Sequence, residues 1–239
     1  MVHAVALIVP LSVEVIASSV ADALAAEAGG AARVELVSDL ARGGLTPALN
    51  VLEDVIARVR IPVRVMLRAS EPHILTDPAE RAHLVQMAGE IAGRRPDGLV
   101  FGALHDGGID EDLLEAVTAA APGLAVTFHR AFEDLHDWHA GIRVLKGHPA
   151  VDRILVDGGS GTWMERSRRL AALARAAAPA IRILAGGGVT HDALDILART
   201  PGLTEVHVGR LVRKPPTAEG AVSAERVASV VNRLARASP

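Results

Sequence analysis

Seven side chains in this sequence are of types that move protons or grip anions, and each falls within or just after a short β-branched run: Glu14, Glu35, Arg68, His129, Arg130, Asp157 and His207. Carboxylates and imidazoles are the common general acids and bases near neutral pH. Guanidinium groups hold carboxylate or phosphate oxygens two at a time. Two glycine segments accompany these residues. Gly186-Gly187-Gly188 leads into Thr190, which reads as a helix start, and Gly209 precedes Arg210. Gly187, Gly188, Gly209 and Arg210 therefore form a candidate anion site of backbone N–H groups and one cation. His129 and His207, with a carboxylate, are also a candidate ligand set for Cu(II) or another divalent ion. A buried carboxylate needs a partner, and Arg68 and Arg130 are the expected partners of Glu35. The bland alternative for every one of these residues is an ion-pair layer inside the fold.

The elements that must carry them follow from hydrophobic patterning. Val13–Ala17, Arg33–Val37, Val63–Leu67, Gly98–Phe101, Ala125–Phe128, Arg153–Val156, Arg182–Ala185 and Glu205–Val208 are short, β-rich and nearly continuously apolar. Ala- and Leu-rich helical segments separate them. This is the pattern of a buried parallel sheet, with units recurring on the scale of roughly 20 to 35 residues. Thr46-Pro47, Asp77-Pro78 with Glu80, and Thr162 with Glu165 are helix-start signals. Eight such units predict a single-domain (β/α)8 TIM barrel with its site at the C-terminal strand ends. No Gly-x-Gly-x-x-Gly follows the first run, which argues against a dinucleotide fold. Residues 1–12 read either as a strand-like N-terminal extension that plugs or covers the barrel bottom or as a poorly ordered segment, and 13–239 as the barrel. Asp110, Glu111 and Asp112 read as N-terminal helix charges. Arg166, Arg168 and Arg169 read as a solvated helix face.

Composition removes several function classes. The chain has 239 residues, 50% of them hydrophobic, a formal charge of −3, 2% aromatics and no cysteine. That charge and the lack of stacking residues exclude a nucleic-acid or anionic-membrane surface. The missing thiols exclude disulfides, zinc fingers and cysteine nucleophiles. The apolar run at residues 4–16 is broken by Pro10, Ser12 and Glu14 and has no preceding Lys or Arg, so it does not read as a secretory signal. A cytoplasmic protein is expected.

Arg33-Val34-Glu35-Leu36 followed by Gly43-Gly44-Leu45-Thr46-Pro47 resembles the CutC family. So do Ala125-Val126-Thr127-Phe128-His129-Arg130-Ala131-Phe132, Ala185-Gly186-Gly187-Gly188-Val189 and Glu205-Val206-His207, in that order. The resemblance implies a cytoplasmic TIM barrel of copper homeostasis, with copper as the bound cofactor and a homo-oligomeric assembly. It also implies that Glu14, Glu35, Arg68, His129, Arg130 and His207 line the central site. The chain departs from the family pattern in specific places. Ile16, Ala17 and Val37 stand where relatives carry cysteines, and Ala69-Ser70-Glu71-Pro72 replaces a Pro-Arg and glycine-rich loop. Asp157-Gly158-Gly159 and Val208-Gly209 also differ from the usual residues.

These observations leave two main functions. One is a copper-binding homeostasis protein. The other is an enzyme, a lyase, isomerase or epimerase, acting on a small phosphorylated or other anionic substrate. In the second, Glu35 or His129 is the base and Arg68, Arg130 and Arg210 hold the anion. The absence of cysteine favours the enzyme, because Cu(I) prefers thiolate and thioether ligands. A non-catalytic regulatory barrel with a decayed site is a third reading.

Overall fold

The eight runs become eight parallel strands in the computed structural model, which describes residues 10–237. They are β1 (Ser12–Ala17), β2 (Arg33–Leu36), β3 (Val63–Met66), β4 (Gly98–Phe101), β5 (Ala125–Phe128), β6 (Val151–Val156), β7 (Arg182–Ala185) and β8 (Glu205–Val208). Each pairs with its sequence neighbours, and β8 pairs with β1 to close the ring. Of the segment read as an extension, residues 1–9 lie outside the described residues; Leu11 is buried and Ser12 opens β1.

The helices are α1 (Val20–Ala28), α2 (Leu49–Ile56), α3 (Pro78–Ala92), α4 (Glu111–Ala120), α5 (Trp138–Leu145), α6 (Trp163–Ala177), α7 (His191–Leu197) and α8 (Ala224–Ala237). Three of the expected starts are present, among them Thr190, whose side chain caps α7. Asp77 caps α3 with Pro78 at its first turn, and Thr162 with Glu165 forms a capping box on α6. Asp110 caps α4 through Leu113 N–H. The Thr46 expectation is corrected. Helix α2 begins three residues later, and Thr46 instead joins the β2 and β3 loops, its Oγ1 accepting from Arg68 N–H at 2.8 Å. Of the arginines read as a solvated face, Arg168 and Arg169 are exposed as expected, whereas Arg166 is half-buried. Arg166 donates to the carbonyls of Asp157 (2.6 Å) and Gly187 (2.9 Å), and Arg169 donates to that of Gly158, so α6 ties down the loops above β6 and β7.

Two apolar volumes follow from the alternation of side chains along a strand. Outward residues such as Val13, Val15, Val34, Leu36 and Val206 pack against the helices in one continuous core. Inward residues Val37, Met66 and Val100 form a separate cluster inside the ring, joined by Ile16 and Leu40. The remaining inward positions are largely polar.

Candidate functional site

At the N-terminal end of the ring the polar residues neutralise one another. Glu205 on β8 accepts from Arg33 (2.9 Å), Arg153 (2.6 and 3.0 Å) and Arg182 (3.1 Å). Arg64 on β3 is held by Asp97 (2.6 Å) and by both oxygens of Asp152 (3.0 and 2.9 Å). A layer of ion pairs does exist, but mainly among residues with no individual mark in the sequence beyond their inward parity.

One step higher, Glu14, Glu35 and His207 meet across β1, β2 and β8. His207 Nδ1 donates to Glu14 Oε1 at 2.8 Å and lies 3.3 Å from Glu35 Oε2. Register explains the meeting, because Glu14 aligns directly with His207 across the closing β1–β8 pair. Gly186 on the other flank is required here. A Cβ on it would come within 2.6 Å of Leu155 Cδ1 and 3.1 Å of His207 Cβ.

The expected pairing of Glu35 with Arg68 or Arg130 does not occur. Arg33 is the nearby cation, and it binds Glu14. Burial pushes Glu14 upward, but Arg33 and then His207 outweigh it and hold the carboxyl at about 2. Among the described residues no guanidinium is bonded to Glu35. Burial, reinforced by the Glu14 charge and opposed by His207, raises its carboxyl to about 7. Burial would lower His207, yet the two carboxylates facing it raise it. Of the triad, Glu35 and His207 line a cavity of about 640 Å³, and Glu14 lies behind them.

His129 occupies another wall. It follows β5, is 4% exposed, and its Nδ1 accepts the Ala131 N–H at 3.1 Å. Gly102 at the end of β4 makes room for it, since a Cβ there would lie 2.7 Å from Nδ1. Burial first, then the Arg68 guanidinium and, whenever it is protonated, the neighbouring His73 hold His129 well below the usual imidazole range. A neutral ring that accepts at Nδ1 must carry its proton on Nε2. His129 is thus a hydrogen-bond donor, and neither nitrogen offers a lone pair to a metal or to a substrate proton. In this tautomer His129 suits a donor role rather than the expected ones of base and metal ligand. The cluster whose ligand atoms lie within 4.8 Å of one another consists of Glu14, Glu35 and His207.

The anion-gripping candidates divide. Arg68 lines the cavity, but its Nε and Nη2 donate to the carbonyls of Ser70 and Glu71. Arg130 lines it too, with its fork on Glu133 (2.9 and 2.6 Å) and Asp157 at 3.5 Å. Asp157 in turn meets Arg166 at 3.1 Å, which makes it a strut of the cavity rim. Arg210 lines the cavity, is exposed, and has no ion pair among the described residues. Gly187, Gly188 and Gly209 share that wall. Gly187 and Gly188 have positive φ (83° and 73°), which turns the loop sharply after β7.

A family model described as the CutC family matches residues 11–211. A human protein named "Copper homeostasis protein cutC homolog" is 38% identical over 198 residues, covering 81% of this chain and 71% of the human one. A CutC family protein from Xanthomonas axonopodis pv. citri is 38% identical over 200 residues, 82% of each chain. The structure of a copper homeostasis protein CutC from Streptococcus agalactiae superposes with a TM-score of 0.77 at 28% identity, covering 83% of this chain and 98% of that one.

Proposed function

The chain belongs to the CutC family, and we propose that this member is an acid–base enzyme acting on a small anionic substrate. The observation that carries the reading is the buried Glu35 carboxyl, raised to about 7, beside a cavity at the C-terminal ends of the strands. A proton acceptor works best when its affinity matches the ambient pH. Glu35 takes a proton from the substrate, and Glu14 with His207 holds the proton inventory of the floor. His129 Nε2–H donates to an oxygen on which charge develops. Arg210 and the glycine loops after β7 and β8 hold the anionic group. The cytoplasm and a homo-oligomer are the setting that the family resemblance implies.

Copper fits these residues poorly. Cu(I) favours thiolate and thioether donors, whereas the chain has no cysteine and Met66 is the methionine on the cavity wall. Any cation between Glu14 and Glu35 must displace the His207 Nδ1 proton and sit near the Arg33 guanidinium already bonded to Glu14. Competition against a Cu(I) chelator is expected to show weak binding only; stoichiometric high-affinity uptake overturns this part of the reading.

The enzyme reading is tested by proton NMR in D2O with a panel of ketose phosphates and 2-oxo acids. Deuterium entering a position next to a carbonyl, and lost in Glu35→Gln, is the expected result. A wild type inert to every panel member overturns it.

A further inference from the structure

The β3–α3 loop delivers His73 to the cavity wall. His73 Nδ1 is 2.7 Å from Asp134 Oδ2, in the 3-10 turn Arg130–Asp134 that follows β5. A carboxylate can only accept, so the ring presents Nδ1–H to it and leaves the Nε2 lone pair free. Nε2 has no hydrogen-bond partner among the described residues. The His73 ring lies 5.1 Å from that of His129, tilted by 45°, and its side chain is 22% exposed. Two neighbouring imidazoles are thus locked in opposite tautomers. His129 offers a proton on Nε2, and His73 offers a lone pair there. His73 comes from the loop after β3, but its contacts with Asp134 and His129 place the ring on the β5 side, and β5 is four strands from β1 and three from both β2, which carries Glu35, and β8. Asp134 is the positioning residue of the pair.

We propose that the His73–Asp134 dyad is a second proton-transfer centre facing Glu35 across the cavity, which makes the site one for inverting a stereocentre next to a carbonyl. The proposal rests on the acid–base reading and names its substrate class: an anionic ketose or 2-oxo compound with an exchangeable proton on the adjacent carbon. Glu35 takes that proton. The C–H bond breaks and its electron pair forms the enolate, whose oxygen charge is held by His129 Nε2–H. His73, protonated on Nε2 from solvent, gives a proton to the other face of the same carbon. Glu35 then releases its proton to water. One proton enters and one leaves, and no oxidant or reductant is needed. The partial exposure of His73 suits a group that must exchange its proton with solvent in each cycle.

The test uses ribulose 5-phosphate and xylulose 5-phosphate, which differ only at the carbon next to the carbonyl, in D2O with the full-length protein. Removing one of two proton-transfer groups should stop inversion without stopping exchange from the face served by the other. His73→Gln is expected to slow interconversion of the epimers by about a hundredfold or more, while deuterium wash-in from one epimer stays within about threefold of the wild type. In 15N-edited spectra the wild-type His73 should be the Nδ1–H tautomer and His129 the Nε2–H tautomer. Asp134→Asn should loosen the first and leave the second, which a merely structural role for Asp134 would not produce. Interconversion at the wild-type rate in His73→Gln, or an Nε2–H tautomer at wild-type His73, overturns the dyad alone. A wild type that washes deuterium into neither epimer overturns the acid–base reading together with the step that rests on it.

Discussion

The two ends of the barrel interior use the same residue types to opposite effect. At the N-terminal end, Arg33, Arg64, Arg153 and Arg182 are all paired, with Glu205, Asp97 and Asp152 between them. At the C-terminal end, Glu35 has no guanidinium partner, Arg210 pairs with nothing among the described residues, and His129 keeps an unused donor. A buried charge with a complete set of partners has nothing left to offer a ligand, while an incomplete set leaves a group that a ligand can complete. The difference lies in the count of partners and the presence of a cavity, and neither can be read from residue type.

The largest effect should come from the closed end. Glu205→Ala leaves the buried guanidinium groups of Arg33 and Arg153 short of their shared carboxylate. Breaking such a cluster costs about 3–5 kcal/mol, measured as a fall in the urea midpoint. A loss below about 1 kcal/mol would mean that the lower layer is not structural, and the contrast between the ends would fail.

Glu35→Gln should act in the opposite direction. The folded Glu35 carboxyl is raised to about 7 from 4.5, so the folded state binds more protons than the unfolded chain between those values. Stability of the wild type therefore falls as pH rises through that window. Glu14 works the other way. Held at about 2, it contributes stability above pH 4.5 that is lost as pH falls toward 2. Glu35→Gln should flatten the upper window and stabilise the protein at pH 8 by on the order of 1–3 kcal/mol. Thermal melts at pH 5 and pH 8 check this. A variant less stable than the wild type at pH 8 would make Glu35 a structural partner like Glu205.

The smallest stability effect belongs to Arg210→Ala, about 0.5 kcal/mol or less for an exposed residue with no ion pair among the described residues. Inorganic phosphate should raise the melting temperature of the wild type, because a ligand of the folded state stabilises it. The variant should lose most of that rise. An undiminished rise would move the anion elsewhere in the cavity.

Sequence patterning made the barrel legible because each strand is buried on both faces and reads as an apolar run, so any polar residue inside one stands out. Glu14, Glu35 and His207 were visible for that reason, and they meet. Arg33 shares an inward parity with Glu35 and could have been marked by it, yet only three-dimensional register assigns it to Glu14 and Glu205. Arg68 and Arg130 carried the right chemistry at the right strand ends, but local carbonyls and Glu133 engage them first. Contacts at short sequence separation compete with those that strand position suggests. His73 and Asp134, 61 residues apart on loops, had no periodicity to reveal them.

The closing pair of strands has a further consequence, for the order in which the molecule assembles. Glu14 and His207 are 193 residues apart, at the seam where the last strand joins the first. A chain folded only as far as β7 already holds Glu14 against Arg33 on the neighbouring strand, but the imidazole that faces Glu35 arrives only with β8. Until then Glu35 is a carboxyl without a cation bonded to it, which burial disfavours as a charge. A ligand bound to His207 and Glu35 would fasten the last strand to the second.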